Sequence, residues 1–464
     1  MNTDLHHNFA QDVWNKDRQH FVHPWTHFES FDKAGSLVMN EAKGAYVTDI
    51  NGKRYLDGIG GLWCVNVGYG REEIVQAIAD QARKMPFFNP FVDTTNVPAA
   101  ELAAKLAELA PGDLSHVMFS SGGSTANDSA YRLIQYYQRD RGKPEKRHII
   151  ARKEAYHGST YISASLCGKE SDRNPNFEYQ TDNIHHVSTP DPYRIGDGMS
   201  EEEFTSFLVE EFEQKVLELG EDAVAAFWAE PIMGAGGVHV PPKNYFTGIR
   251  EICDKYDILF VADEVVTGFG RVGHWFCSKD MFGIQPDILV SAKGLTSGYQ
   301  PLAATIFSDR IYKSISANPG NWFQNGFTYS GHPVACAAAL ANIEIMERED
   351  LFAHVREVGP YFMERLQTLR DVPHVGDVRG SHFMACIEYV ANTDTKEKFG
   401  YDVNIGKRVS NAAEKRGLLV RPVGHLNVLS PCLILTKEQC DTIVDVLRDS
   451  MTEVLAEMKT DGVI

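Results

Sequence analysis

The sequence predicts an α/β protein with a mostly parallel central sheet, and three observations favour this fold class. From about residue 115, short β-branched runs alternate with helical patterns, as they do in βαβ units. The 464 residues exceed what one hydrophobic core usually organises. No repeat, low-complexity tract or Pro/Gly linker separates the chain into independent halves. We therefore predict a large domain interwoven with a smaller α+β domain.

Five short apolar runs fit buried parallel strands, because such strands are apolar on both faces. They are His116–Ser120, His148–Arg152, Ala225–Ala229, Ile258–Ala262 and Asp287–Ser291.

The clearest predicted helix spans residues 201–219. Ser200 and Glu203 fit a capping box before it, and Gly220 follows its end. A second helix over about 244–256 carries one apolar stripe. Both helices continue the alternation with strands.

Both chain ends are predicted to build the smaller domain. Residues 1–70 form its N-terminal segment and 336–464 its C-terminal part, whereas 71–335 form the large domain. The last segment contains a predicted strand over 417–421 and a helix near 437–458.

The composition excludes several classes of function. A formal net charge of −18 repels phosphate backbones and anionic lipid surfaces, so neither nucleic acid nor membrane is expected as a partner. The N-terminus lacks a basic run followed by an apolar stretch, which predicts a cytoplasmic location. The eight cysteines have no paired short spacings, so neither a metal site nor a disulfide framework is indicated.

Polar or glycine-marked segments follow the predicted strands where each strand ends. In chain order they are Ser121–Ser124, Tyr156–Gly158, Glu230–Pro231, Asp263–Glu264 and Lys293–Gly294. Ligands of open α/β sheets bind at this carboxyl edge.

The Ser121–Ser124 turn lies between a strand and an amphipathic segment, so its N–H groups point outward at a helix N-terminus, which suits phosphate. A turn that merely saves space is the alternative. The turn is not a P-loop, since no Gly-Lys-Ser/Thr closes it.

Asp263 and Lys293 each have an ordinary interpretation, as a helix cap or buried ion pair and as a solvated loop lysine. Together, the two residues favour a functional interpretation, because a desolvated lysine loses its proton readily and forms an imine with a carbonyl. Pyridoxal phosphate requires a lysine for its aldehyde, a carboxylate for its ring nitrogen, an N–H cradle for its phosphate and an aromatic ring on its face. All four are available at this edge.

At these residues the chain resembles the class III aminotransferases, which are fold type I pyridoxal-phosphate enzymes, and within them the amine or omega-amino acid:pyruvate branch. The resemblance covers nearly the whole chain. Its most specific segments are Gly61–Gly70 (GLWCVNVGYG), Val261–Arg271 (VADEVVTGFGR), Ser291–Ser297 (SAKGLTS) and Gly326–Pro333 (GFTYSGHP).

The resemblance implies that Lys293 holds the cofactor as a Schiff base and moves the proton between the substrate Cα and cofactor C4′. Asp263 is expected to keep the ring nitrogen protonated. Val265 is expected beneath the ring and Tyr156 on its other face.

The resemblance also assigns the phosphate to Gly123 and Ser124, and a supporting polar role to Glu230. Thr328 is expected to reach the phosphate of a neighbouring subunit, which implies a homodimer, or a tetramer built from it, with active sites at the interface.

For the substrate, the resemblance places Trp25, Trp63 and Phe91 around the amine side chain, and Arg421 against a carboxylate. The alternatives, plain core for Trp63 and Phe91 and a surface ion pair for Arg421, remain open. The expected acceptor is pyruvate, and the expected donors are β-alanine, taurine, diamines or aralkylamines.

Two segments depart from the family pattern. Gly122 and Thr125 replace a polar residue and a glutamate of the usual Ser-Gly-Ser-Glu, although main-chain phosphate binding survives such changes. The segment 167–195 is shorter than in well-known amine-accepting members and carries Lys169, Glu170, Asp172 and Arg173.

Three functions are compatible with these residues. The first is an aminotransferase running ping-pong between an amine and a keto acid. The second is a mutase, racemase or decarboxylase on the same scaffold, against which Arg421 argues because it suits a second carboxylate substrate. The third is a sensor of amino compounds, for which Lys293 and Asp263 are more than is required.

Overall fold

Three sheets organise the part of the chain that the computed structural model describes, residues 2–464. Its strands are β1 (Met39–Lys43), β2 (Tyr46–Asp49), β3 (Arg54–Asp57), β4 (Leu114–Ser120), β5 (His148–Arg152), β6 (Ile184–Val187), β7 (Val224–Ala229), β8 (Leu259–Asp263), β9 (Ile288–Ser291), β10 (Ala303–Ser308), β11 (Val375–Ser381), β12 (Met384–Tyr389), β13 (Leu418–Leu419), β14 (Arg421–Val423) and β15 (Leu426–Leu429). Its α-helices are α1 (Asn2–His20), α2 (Phe28–Ala34), α3 (Gly60–Trp63), α4 (Glu72–Lys84), α5 (Val97–Leu109), α6 (Gly123–Asp140), α7 (Tyr161–Leu166), α8 (Glu201–Leu219), α9 (Tyr245–Lys255), α10 (Cys277–Phe282), α11 (Asp309–Ile315), α12 (Pro333–Arg348), α13 (Leu351–Gln367), α14 (Ile405–Lys415) and α15 (Lys437–Thr460).

The central sheet has seven strands in the order β4-β10-β9-β8-β7-β5-β6. Neighbours from β9 through β8, β7 and β5 to β6 are parallel, and β10 runs antiparallel to both β9 and β4. The register pairs Asp263 on β8 with Val290 on β9. The predicted α/β class with a mostly parallel sheet is confirmed, and the carboxyl ends of β8 and β9 meet at one edge.

Helices cover both faces of this sheet. On one face α6 packs Ala130, Leu133 and Ile134 against alternate residues of the strands. On the other face α8 presents its stripe Phe204, Leu208, Phe212 and Val216, next to α9. Since both faces are covered, the inner strands β7, β8, β9 and β10 are buried on both sides. The prediction of a buried parallel strand over His116–Ser120 is wrong, because β4 is a partly buried edge strand that pairs antiparallel with β10.

The predicted elements agree closely with the observed ones. All five predicted strands are present with ends shifted by at most two residues, and α8 begins after the capping box of Ser200 and Glu203 and ends before Gly220. The strands β6 and β10 were not predicted. β6 has only four residues, two of them histidines, and β10 begins with two alanines, which have low strand propensity.

The single strand predicted over 417–421 is wrong, because the chain changes sheets there. Leu418 on β13 pairs with Leu56 on β3, whereas Arg421 on β14 pairs with Val428 on β15. Pro422 is tolerated because β14 is an edge strand, where no N–H is required on the outer side. The crossing at residue 420 carries Arg421 away from the first sheet.

Both chain ends meet in the sheet β1-β2-β3-β13, in which β3 and β13 are parallel. The boundaries at residues 70 and 335 stay predictions. No helix within residues 2–464 has both the length and the apolar character of a membrane span.

Candidate active site

A cavity of about 470 Å³ lies at the carboxyl edge of the central sheet. Ten of the twelve residues singled out from the sequence line it, and they are Trp25, Trp63, Gly123, Ser124, Tyr156, Glu230, Asp263, Val265, Lys293 and Arg421. The fold therefore brings most of the candidate residues into one space.

Lys293 contributes a primary amine to this cavity from the turn that follows β9. Removal of the charged amine from solvent lowers the pKa of Lys293, and the negative charge of Asp263 opposes that shift. Among the described side chains, those of 9–33 and 35–464, the groups that influence this amine act through their charge and not through a hydrogen bond. The side chain is therefore an amine with a reduced proton affinity that faces open space.

Asp263 ends β8 with a carboxylate that is 3% exposed. Its Oδ1 accepts the Val265 N–H at 3.1 Å, and its Oδ2 accepts the Asn127 amide at 2.9 Å. The same Oδ2 lies 2.7 Å from Nδ1 of His157. Three contacts fix the orientation of the carboxylate and leave it beside the cavity.

Asn127 and His157 are functional candidates that sequence reasoning missed. Asn127 lies on α6 and is held by the Trp228 indole N–H at 3.2 Å, and it also donates to the His157 carbonyl at 2.7 Å. His157 was part of the Tyr156–Gly158 segment, but nothing in the sequence indicated that its ring contacts Asp263. The available signal was a histidine directly after Tyr156, just past the end of a predicted strand.

The first turn of α6 carries the predicted phosphate cradle. Gly123 begins the helix, so the N–H groups of Gly123 and Ser124 belong to the turn whose amides lack intrahelical acceptors. A Cβ on Gly123 would lie 3.1 Å from the Val265 side chain, which leaves little room for any other residue. The Gly122 N–H donates to the Thr125 hydroxyl at 3.2 Å, so threonine caps this helix where the family has glutamate.

Glu230 is a buried carboxylate that orients its neighbours. Its Oε1 accepts the Tyr156 N–H at 3.2 Å, and its Oε2 accepts the Gly234 N–H at 2.8 Å. Burial raises the pKa of Glu230, because the carboxylate is removed from solvent. The residue fixes the backbone that presents the Tyr156 ring.

Trp25, Trp63 and Arg421 also line the cavity. Trp63 is buried, whereas Trp25 is 65% exposed and its ring centroid lies 6.3 Å from that of Tyr156. No carboxylate among the described side chains, those of 9–33 and 35–464, forms an ion pair with Arg421. Burial lowers the pKa of Arg421, and the nearby Tyr156 and Asp172 oppose that shift.

Three of these residues have a left-handed backbone, with φ of 59° at Trp25, 67° at Trp63 and 45° at Lys293. Such conformations cost about 1–3 kcal/mol each for residues other than glycine and cluster at functional sites. The surrounding fold must hold these side chains in place against that cost.

Phe91 and Thr328 do not line the cavity of their own chain. Phe91 is 48% exposed, and its ring lies beside Gly326 in the segment that carries the exposed Thr328. The substrate role of Phe91 stays a prediction, and that of Thr328 stays a prediction that depends on a second subunit.

Lys169 and Asp172 also line the cavity. The sequence marked both as charges in an unusual segment but did not indicate that they reach the site. Their position follows from the path of the chain after α7, which local patterns do not specify.

Comparison with known proteins identifies the family. Residues 30–451 match the model described as "Aminotransferase class-III". The chain belongs to the class III aminotransferases. Members of this family depend on pyridoxal phosphate, and the aminotransferase cavity offers the groups that this cofactor requires: an unpaired amine, a fixed carboxylate and helix N–H groups.

Several relatives of this aminotransferase match over nearly their whole length. A putrescine–pyruvate aminotransferase of Pseudomonas aeruginosa is 42% identical and covers 98% of this chain and 99% of its own. A diaminobutyrate–2-oxoglutarate transaminase of Halomonas elongata is 37% identical, with 98% of each chain covered. The crystal structure of an (S)-enantioselective omega-transaminase from Thermomicrobium roseum superposes with a TM-score of 0.93 at 39% identity, over 96% of this chain and 99% of that one.

The lowered pKa of Lys293 predicts how cofactor capture by the cofactor-free aminotransferase depends on pH. Capture requires the neutral amine, so its rate should rise with pH and level off below 10.5, the ordinary lysine value. Stopped-flow absorbance after mixing with pyridoxal phosphate measures the rate. Nα-acetyl-lysine, whose free amine titrates near the ordinary value of 10.5, is the reference under the same conditions, and a capture rate that keeps rising through 10.5 as the reference does would contradict the prediction.

Proposed function

We propose that this chain transfers an amino group from an amine or omega-amino acid to pyruvate, in two half-reactions that share one site. The observation that carries the proposal is the meeting of Lys293, Asp263 and the first turn of α6 around one cavity. Arg421, which has no ion-pair partner within the described part of the chain, supplies a place for the carboxylate of a keto acid. The name of the Pseudomonas aeruginosa relative, a putrescine–pyruvate aminotransferase, supports both the donor class and the acceptor.

When bound, pyridoxal phosphate supplies an aldehyde and an electron-accepting ring. Lys293 is the amine that would bind that aldehyde, and its free amine would move the proton at the substrate Cα. Asp263 holds a proton on the ring nitrogen, because its carboxylate is fixed beside the cavity by Asn127 and His157. The N–H groups of Gly123 and Ser124 bind the phosphate.

The remaining residues position the substrate and exclude water. Val265 and Tyr156 would hold the cofactor ring between them, and Glu230 keeps Tyr156 in place through its main chain. Trp25 and Trp63 present apolar surface to the donor side chain. Because one cavity serves both half-reactions, the donor would leave its amino group behind and depart as the carbonyl product before the acceptor enters.

Absorbance spectroscopy of the purified protein tests this function directly. The visible band of the bound cofactor should bleach when an amine donor is added and return when pyruvate follows. Lys293→Ala should lack the band of the lysine-bound cofactor, because the amine that binds the aldehyde is gone. Lys279→Ala, on the surface helix α10, is the matched control and should keep the cycle. A band that persists in Lys293→Ala, or that no amine bleaches, would refute the proposal.

The contacts of Asp263 predict a graded effect on turnover. Asp263→Asn should lower kcat by about 100-fold or more while KM for the donor changes little, because the carboxylate acts on charge that develops during the reaction. His157→Leu should lower kcat by about 10- to 100-fold, since the carboxylate loses one of its orienting partners.

Steady-state kinetics at saturating pyruvate measure both effects, and the cofactor content of each variant is determined first. His157→Gln, which keeps a hydrogen-bond donor, should recover part of the loss. If His157→Leu and His157→Gln fell equally, the ring contact with Asp263 would not be the reason for the loss.

We also propose a homodimer in which each subunit completes the site of the other. Thr328 is exposed and lies outside the cavity of its own chain. Around it the surface is rich in exposed apolar side chains, namely Phe87, Phe88, Phe91, Val92, Trp322 and Tyr329. An apolar surface of this kind is typical of an interface.

Subunit mixing tests the shared site. Lys293→Ala and Thr328→Asp should each be nearly inactive alone, the second because a carboxylate repels the phosphate. Mixing equal amounts under exchange conditions should restore about a quarter of wild-type activity, because half of the dimers are then mixed and each has one intact site. If Thr328 served its own subunit, both sites of a mixed dimer would be defective and activity would not return.

A further inference from the structure

Two charged side chains of the cavity have no part in the proposed cofactor site. Lys169 and Asp172 lie on the segment after α7, and Asp172 ends a single 3₁₀ turn, Glu170–Asp172. The Lys169 Nζ is 3.3 Å from Asp172 Oδ1, and the two side chains are 16% and 17% exposed. They form a largely buried ion pair in the lining of the cavity.

This ion pair holds Asp172 loosely. Its other contact is a 3.3 Å hydrogen bond from the adjacent Ser171 hydroxyl. Arg173, the next cation along the segment, donates instead to the carbonyls of Ser165 and Cys167. The 3.3 Å separation is longer than the roughly 2.7–2.9 Å of a strong charge-assisted hydrogen bond, so another cation can replace Lys169.

The Lys169 side chain is itself an unbranched alkylammonium, held by a carboxylate inside the substrate cavity. The distal end of a linear diamine presents the same chemical group. Trp25 and Trp63 of the same cavity offer apolar surface for the methylene chain. Arg421 has no carboxylate partner among the described side chains and is the group suited to an anionic substrate.

We propose that Asp172 binds the distal ammonium of a diamine donor, which displaces Lys169 from it. Asp172 is thus a specificity-determining residue that favours diamines over monoamines of equal length. This inference rests on the proposed transamination, because it assumes that the donor enters this cavity.

The test compares putrescine with pentylamine, in which a methyl group replaces the distal ammonium, with pyruvate as the acceptor. In Asp172→Asn the ratio of kcat/KM for putrescine to that for pentylamine should fall about 10- to 100-fold, because a charge-assisted hydrogen bond is lost. In Lys169→Met the same ratio should rise by up to about fivefold, since the competing ammonium is removed.

Asp182→Asn is the matched control, because Asp182 lies exposed in the same segment and does not line the cavity. Its ratio should equal that of the wild type. An unchanged ratio in Asp172→Asn overturns the inference. A falling or unchanged ratio in Lys169→Met also overturns it. If Asp172→Asn fails to retain cofactor, the result for Lys169→Met alone decides. A lower kcat/KM for β-alanine in Lys169→Met, with putrescine unaffected, would instead make Lys169 a carboxylate-binding residue.

The two proposals fail in different ways. If neither amine bleaches the cofactor band of the wild-type holoenzyme, the transamination itself is wrong. If both amines react with pyruvate and the ratio does not respond to Asp172→Asn, transamination stands and the role of Asp172 is wrong.

Discussion

The pairing of β8 with β9 is the constraint on which the site depends. Parallel register places Asp263 opposite Val290, so that Asp263 and Lys293 leave neighbouring strands at the same edge. Neither a buried carboxylate nor a desolvated amine is stable without compensation. Asp263 obtains it from Asn127, His157 and a backbone N–H, whereas the amine of Lys293 keeps only the attraction of nearby charge. The core on both faces of the sheet supplies the stability that holds this unpaired amine.

The sequence predicted those parts of the fold whose signals are local. Helix α8 has its cap, its apolar stripe and its terminal glycine within one continuous segment, and its bounds were predicted correctly. Strand β10 was missed because its residues have no strong strand pattern of their own. Its place between β4 and β9 depends on pairing with strands that are distant in the sequence. The break between β13 and β14 was missed for the same reason: two sheets compete for one short run, and only tertiary packing decides between them.

In the candidate site, too, local signals in the sequence predicted some residues, whereas long-range contacts bring in others. Sequence patterns identified Lys293, Asp263 and the α6 turn because each directly follows a recognisable strand. The resemblance to a known family then indicated their roles. His157 and Asn127 were missed because their function lies in a contact with Asp263 across more than 100 residues of chain. Lys169 and Asp172 were noticed as charges, but their place in the cavity depends on a loop path that no periodicity encodes.

The cavity combines a rigid base, at Asp263 and Glu230, with an adaptable rim, at Arg421 and Asp172. At the base, the two carboxylates of Asp263 and Glu230 are each held by two or more hydrogen bonds from other residues. At the rim, Arg421 has no ion-pair partner among the described side chains, and Asp172 has one weak pair. A ping-pong enzyme needs both properties, because the reacting atoms must meet the same fixed groups in each half-reaction while donor and acceptor differ in charge and length. Fixed charge at the base preserves the chemistry, and replaceable charge at the rim admits two different substrates to one site.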